Sequence, residues 1–304
     1  MRFAISIPQY ARDSSFDDDA FRGHLRRVEE LGLFESVWAQ EQVIGAAGAL
    51  APLQTLTYAA ACTEQLRLGC AVFVLPLHNP LHLAKAISSL DCLSHGRVEV
   101  GLATGGRGRP FAAFGVDPDR PVARFNEALA LMKACWTEPE INFDGRWWKL
   151  AGASMEPKPV QKPHPPVWFG GSVPAGMRRA ARYGDAFMGA GSQTPAQFAE
   201  QVKVVKEELN AQGRDPGTFR IGKRVYVHVD DDEGRAREKL DGALKRHYGG
   251  GSWSEHMFAG PPEACAAGIR NVADAGAELI LLNPLLDDAE QLERLAAEVI
   301  PALS

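Results

Sequence analysis

The stretch Leu66–Gly106, LRLGCAVFVLPLHNPLHLAKAISSLDCLSHGRVEVGLATGG, constrains the fold more than any other, because it reads as two buried strands joined by one helix. Leu68–Leu75 is an almost unbroken apolar run, which suits a strand covered on both faces. Pro80 opens a helix, and Leu81, Ala84, Ile87, Leu90 and Leu93 recur three apart as one apolar stripe. Gly96 stands where that helix would stop, and Val98–Leu102 is the next strand. A strand, helix, strand order with this crossover length implies parallel pairing. Gly105, Gly106 and Gly108 follow at the carboxyl end of the second strand, the end at which parallel α/β sheets place their ligands.

The same unit repeats along the chain. Strands are predicted at Phe3–Ile7, Ser36–Ala39, Leu68–Leu75, Val98–Leu102, Val167–Phe169, Asp185–Met188, Arg220–Val229 and Leu279–Leu282, each followed by a helix. Eight strands of this kind, with no composition break between them, predict one (β/α)₈ TIM barrel over residues 1–304. Insertions interrupt it after strands four and seven. The first holds a hairpin in INFDGRWWKL, turned at Asp144–Gly145, and the proline-laden run MEPKPVQKPHPP. The second includes GGGSW, read as a mobile connection. An open doubly wound sheet is the competing architecture, but GxGxxG is missing after the first strand, where a dinucleotide fold carries it.

Composition narrows the function classes. A net charge of -5 and a pI near 5.9 argue against nucleic acid or an anionic membrane surface as the main partner. No window reaches the ~20 apolar residues of a membrane helix, and MRFAISIPQY is too short an apolar run for a signal peptide, so a cytoplasmic protein is expected. The five cysteines (Cys62, Cys70, Cys92, Cys135, Cys265) are scattered and read as reduced, buried thiols rather than nucleophiles.

Three glycine clusters mark strand ends that a barrel brings to one face: Thr104-Gly105-Gly106, Gly170-Gly171-Ser172 and Gly189-Ala190-Gly191. The second lies between a strand and a helix start, where free N–H groups and the helix dipole favour a phosphate; a tight turn is the plain alternative. Glu41 and Gln42 end strand two, either facing a ligand or starting a capped loop. His78 and His82 are separated by Pro80 and do not form a metal pair, so no metal site is expected. The segment Arg107–Arg120 is expected to act as a lid, with Arg107 or Arg109 as cations that reach an anion. Trp147 and Trp148 read as rim packing. Helices Pro52–Thr63 and Leu81–Leu93 are apolar on more than one side, which predicts a second buried surface and a homodimer.

The stretches ESVWAQEQ, LRLGCAVFVLPLHNPLHLAKAISSLDCLSHGRVEVGLATG, MEPKPVQKPHPPVWFGGS and RRAARYGDAF resemble the bacterial-luciferase-like flavin monooxygenases, including their deazaflavin-dependent relatives. The resemblance extends over most of residues 1–230 and weakens afterwards. It implies a flavin at the carboxyl face of the barrel, over a bulge, often a non-proline cis peptide, at Ala71–Val72. It places Thr104 and Gly105 beside the ring or ribityl chain, and the phosphate at Gly171, Ser172 and the helix start near Ala175 and Gly176. Two positions depart from the pattern: Gln42 stands where many members have histidine, and Gly106 where deazaflavin sugar-phosphate dehydrogenases have an acid. A glutamine amide cannot titrate, so a general base would come from Glu41 or His78. The implied activity is a monooxygenase using O₂ and reduced FMN from a separate reductase on a small organic substrate. Hydride transfer with deazaflavin (coenzyme F420) and non-catalytic flavin binding are the rivals.

Overall fold

Eight parallel strands pair in a closed ring in the computed structural model, which describes residues 1–11, 15–45, 47–106 and 111–303. In chain order the first elements are β1 (Arg2–Ser6), α1 (Asp18–Leu31), β2 (Phe34–Ala39), α2 (Pro52–Cys62), β3 (Arg67–Cys70), the two-residue β4 (Phe73–Val74) and α3 (Pro80–Leu93). Then come β5 (Val98–Ala103), α4 (Pro121–Thr137), the hairpin β6 (Ile141–Asp144) and β7 (Lys149–Ala153), β8 (Val167–Gly171), α5 (Pro174–Tyr183), β9 (Ala186–Gly189) and α6 (Pro195–Ala211). The last are β10 (Arg220–Val229), α7 (Glu233–Tyr248), β11 (Met257–Gly260), α8 (Pro262–Asp274), β12 (Leu279–Asn283) and α9 (Asp288–Arg294). The ring runs β1-β2-β3-β5-β8-β9-β10-β12 and closes where Arg2 to Ile5 pair with Leu279 to Leu282. This is the TIM barrel expected from the repeated unit.

Four elements differ from expectation. The apolar run after Arg67 is not one strand: it breaks at Ala71–Val72 and passes through β4 into a turn of 3₁₀ helix at Leu75–Leu77. Periodicity cannot see such a break because both halves stay buried. The hairpin turn lies at residues 145–148 instead of Asp144–Gly145. There the Glu127 carboxylate accepts the N–H groups of Arg146, Trp147 and Trp148 at 2.8–3.1 Å and fixes a four-residue loop. A short strand, β11, follows the GGGSW segment and pairs beside the upper half of β10. The last helix divides into α9, a π-helical turn at Leu295–Val299 and a 3₁₀ turn at Pro301–Leu303.

Large rings lie over missing side chains in the barrel interior. Trp38 and Trp168 meet edge to face at 5.5 Å, Trp38 lies over Gly69, and Trp168 and Met188 lie over Gly222. The amino-terminal end is closed by charge: Glu99 accepts hydrogen bonds from Trp168 Nε1, Arg67 and Arg220, and Arg220 and Arg2 both reach Glu35. Between sheet and helices runs the main apolar core. Trp148 packs against this core beneath Arg124, 4.6 Å above its ring, as rim packing requires. The five cysteines are free, and burial pushes the Cys265 thiol up to about 12.

His24 of α1 is buried in this layer, with no hydrogen-bond partner for either ring nitrogen among the described residues. Burial pushes its pKa down from 6.5 to about 4. The imidazole is therefore neutral when folded, and as pH falls below about 6.5 the unfolded chain takes up the proton first. Stability should fall progressively between those two values, by up to about 3 kcal/mol. Urea unfolding near neutrality and again near the lower value should show this loss, and His24→Leu should reduce it; an equal acid loss in that variant would refute the assignment.

Candidate functional site

The carboxyl ends of the strands carry polar and glycine residues that the core does not need. Gln40, Glu41 and Gln42 follow β2, and they line a cavity of about 290 Å³ together with Tyr10, Gly106, His247 and Tyr248. The end of α7 reaches back over the barrel mouth, where the Tyr248 hydroxyl donates to Gln40 Oε1 at 2.5 Å. Gln9 fixes the base of this loop, its amide donating to the Gln40 carbonyl at 2.7 Å and accepting from the Gln40 N–H.

Glu41 is buried and fully engaged. One carboxylate oxygen accepts the Val74 N–H at 2.7 Å, and the other lies 2.6 Å from His78 Nε2. The side chain of Glu41 is 3% exposed and that of His78 24%, so the pair connects the cavity to the outside. Gln42 lines the same cavity with its side chain folded back over Gly45. The three candidate catalytic residues thus sit together, two of them in direct contact. His82 lies one helical turn into α3 and is exposed. Among the described residues no group of three His, Cys, Asp or Glu could hold a metal ion.

The peptide Ala71–Val72 is cis, at the position that the resemblance indicates. Thr104 and Gly105 follow β5, with Gly105 at φ 76°, and Gly106 reaches the cavity. Arg107 and Arg109 lie outside the described residues. The remainder of the expected lid is anchored by buried Phe111 and Val116.

Gly170 and Gly171 end β8, and Ser172 and Val173 lead exposed into α5. The α carbons of Gly171 and Gly176 face one another across an open notch: a Cβ on either would lie 3.8–3.9 Å from the other's α carbon. Val173, at the helix cap, supplies no side-chain acceptor; Pro174 has no N–H and Gly176 donates to the Val173 carbonyl at 2.8 Å, which leaves the Ala175 N–H without a backbone partner among the described residues. Residues with unfilled donors and no crowding side chain fit a phosphate.

Sequence reading missed the contribution of β10. Its alternation sends Lys223 outward, where the ammonium is buried against the Ala190 carbonyl and pushed down to about 7 by burial. Arg224 and Tyr226 face inward. The Arg224 guanidinium donates to Gln40 Oε1 at 2.8 Å and to the Tyr226 hydroxyl at 3.0 Å. Burial raises the pKa of Tyr10 and Tyr226 above the ordinary phenol value, so both stay neutral. The signal was present: two adjacent cations inside an otherwise apolar strand, IGKRVYVHV.

A parallel barrel whose carboxyl face combines an open cavity, a buried acid and uncapped helix amides defines a class of ligand-holding α/β barrels. Within that class the chain belongs to the luciferase-like monooxygenase family, whose model matches residues 1–256. The phthiodiolone/phenolphthiodiolone dimycocerosates ketoreductase of Mycobacterium sp. (strain JLS) is 31% identical over 187 residues, 61% of this chain and 49% of that protein. The chain therefore spans only about half the length of this relative. The FMNH₂-dependent dimethylsulfone monooxygenase of Pseudomonas putida is 26% identical over 243 residues, 78% of this chain and 65% of that one. The F420-dependent glucose-6-phosphate dehydrogenase of Kineococcus radiotolerans is 26% identical over 313 residues, 91% and 90% of the two chains. Among solved structures, monooxygenase RslO1 from Streptomyces bottropensis superposes with a TM-score of 0.86 at 24% identity, over 100% of both chains. An F420-dependent secondary alcohol dehydrogenase superposes at 0.85 and 20%, over 100% of this chain and 99% of that one. At these identities the structural likeness is one of fold. No helix among the described residues is long and apolar enough to cross a membrane.

Proposed function

We propose that the chain is a flavin-dependent oxidoreductase acting on a small organic substrate held in the cavity at the barrel mouth. The observation that carries this reading is the Glu41–His78 pair beside that cavity, on the face where the family's relatives are named for reduced FMN or F420. The ring of the cofactor would lie over Ala71–Val72 beside Thr104 and Gly105, and its phosphate would meet Gly170, Gly171, Ser172 and Gly176. When bound, the cofactor supplies two-electron chemistry: hydride transfer for a deazaflavin, O₂ activation for reduced FMN delivered by a separate reductase.

The protein's own part is proton management and water exclusion. Glu41 faces the substrate and moves its proton, and His78 passes that proton to solvent. Gln42 orients a substrate or ring oxygen without titrating. A pair built for moving protons suits hydride exchange at an alcohol or carbonyl, whose oxygen must lose or gain a proton. The family match supports the monooxygenase form.

Glu41→Gln is expected to lower turnover by about a hundredfold and to remove one limb of the pH–rate profile, and His78→Asn to shift or remove the same limb. Gln42→Ala should weaken binding modestly and leave the profile in place. A flat profile in the unmodified enzyme would refute the proton relay. Absorbance and fluorescence of the cofactor that titrates in, with O₂ consumption measured alongside, separate the two forms. The apolar excess on α2 and α3, including exposed Leu93 and half-buried Leu53 and Leu81, supports a homodimer. Sedimentation at micromolar concentration showing only monomer would refute that.

A further inference from the structure

An uncompensated cation stands in the barrel mouth. Arg224 is half-buried there, and the ionisable groups that bear on it most are the phenols of Tyr226, Tyr248 and Tyr10. Among the described residues no carboxylate pairs with it; both oxygens of Glu41 are taken, by the Val74 N–H and by His78. Arg224 Nη1 donates to Gln40 Oε1, which Tyr248 also fills, and approaches the Ala71 carbonyl at 3.5 Å, while Nη2 donates to Tyr226. A guanidinium has five N–H groups, and the Nε of Arg224 has no partner among the described residues. Two neighbouring donors are unfilled in the same way, Trp253 Nε1 and Asn283 Nδ2. Asn283 is 1% exposed and pairs in register with Tyr226, on the same inward face of the barrel. Trp253 stands against Tyr226 and Tyr248, whose rings lie 5.3 and 5.9 Å from the guanidinium.

Unfilled donors around a cation, walled by aromatic rings, call for an anion, because such walls weaken solvent screening and leave the charge costly until it is paired. We propose that Arg224 binds a carboxylate of the substrate, so that the small molecule held at the mouth is an organic acid. The inference rests on the flavin reading above and names its substrate class. The planar fork of arginine matches a carboxylate through two parallel N–H···O bonds, a match that a neutral amide forms only in part. Arg224 borders the break between β3 and β4 at Ala71, and Glu41 borders it at Val74. An acid anchored on Arg224 therefore extends toward Glu41 and Gln42, which puts its reacting carbon on the side of the proton-moving pair.

The test is isothermal titration calorimetry of two acid–amide pairs, benzoate with benzamide and hexanoate with hexanamide. Each is titrated into the unmodified chain, Arg224→Gln and Arg224→Lys, with and without FMN or F420, and thermal unfolding checks each variant. Expected is binding of each acid at least about tenfold tighter than that of its amide, a preference that disappears in Arg224→Gln and returns in part in Arg224→Lys, while amide affinity stays unchanged. Should Arg224→Gln fail to fold, Arg224→Lys decides: it keeps the charge and loses the fork, so acid affinity must fall and amide affinity must not. Equal affinity for acid and amide, no binding of either acid at millimolar concentration, or a preference that survives in Arg224→Gln overturns the proposal. So does a loss of FMN or F420 affinity in Arg224→Gln without an acid preference in the unmodified chain, which would give the guanidinium to the cofactor. The flavin reading falls separately, if neither FMN nor F420 binds the unmodified chain, whether or not the acids do.

Discussion

Replacing Gly171 by glutamate is expected to abolish flavin binding while leaving the barrel folded. The position sits at the end of β8, and a Cβ placed there meets only the Gly176 α carbon, at ordinary contact distance of 3.8 Å. Neither steric crowding nor a left-handed backbone therefore requires glycine for folding. What the absence of a side chain provides is access to the start of α5, where Val173 offers no side-chain acceptor and the Ala175 N–H has no backbone partner among the described residues. A glutamate would fill the notch with a carboxylate that competes for that donor and repels a phosphate. Gly171→Ala, which adds bulk without charge, should weaken binding by no more than about tenfold, and Gly171→Glu by at least a hundredfold. Titration of both variants with FMN and F420, alongside thermal unfolding, checks this. Unchanged affinity in the glutamate variant would remove the phosphate from this helix.

Much of the architecture was legible because a barrel repeats its message. Each strand needs a buried run and each helix an apolar stripe, and proline at the start of α2, α3, α4, α5, α6 and α8 punctuates the units. The exceptions share a physical cause. The break at Ala71–Val72 keeps its neighbours buried, so no change of pattern reports it to periodicity; only the resemblance pointed there. β11 has four residues, MFAG, beside a glycine-rich segment, too short for an alternation to register. The hairpin turn is set by Glu127, nearly twenty residues upstream, which local turn chemistry cannot include. At the site, glycines at strand ends and the pair Glu41 and His78 could be named from position alone. Their contact at 2.6 Å could not, since it spans β2 and the turn after β4. Arg224 and Tyr226 escaped because naming Arg220–Val229 a strand does not say which of its faces enters the barrel.

Gly101→Ala is expected to be the most damaging single-methyl change in the chain. Gly101 faces the interior from β5, and a Cβ there would lie 1.9 Å from the Cys70 carbonyl oxygen and 3.3 Å from a Val72 methyl. The clash is with backbone, which cannot rotate away as a side chain could. To relieve it, β5 and the end of β3 must separate, although the two are paired at Leu68–Val98 and Gly69–Glu99. Overpacking of this kind costs at least about 1–3 kcal/mol, and more where the neighbour is rigid. The same displacement would move Ala71–Val72, so cofactor affinity should fall together with stability, even though residue 101 touches no proposed ligand. Gly23→Ala supplies the contrast: that glycine lies inside α1 with nothing within 4 Å of a new Cβ. Its replacement should stabilise the protein by about 0.5–1 kcal/mol through helix propensity alone. Thermal unfolding of both variants measures the difference, and cofactor titration of Gly101→Ala shows whether the β3–β5 seam also sets the floor of the site. A Gly101→Ala protein as stable as the parent would mean that the strands accommodate the methyl by a shift small enough to leave their pairing intact, and the close approach of β5 to Cys70 would then have no part in holding the site.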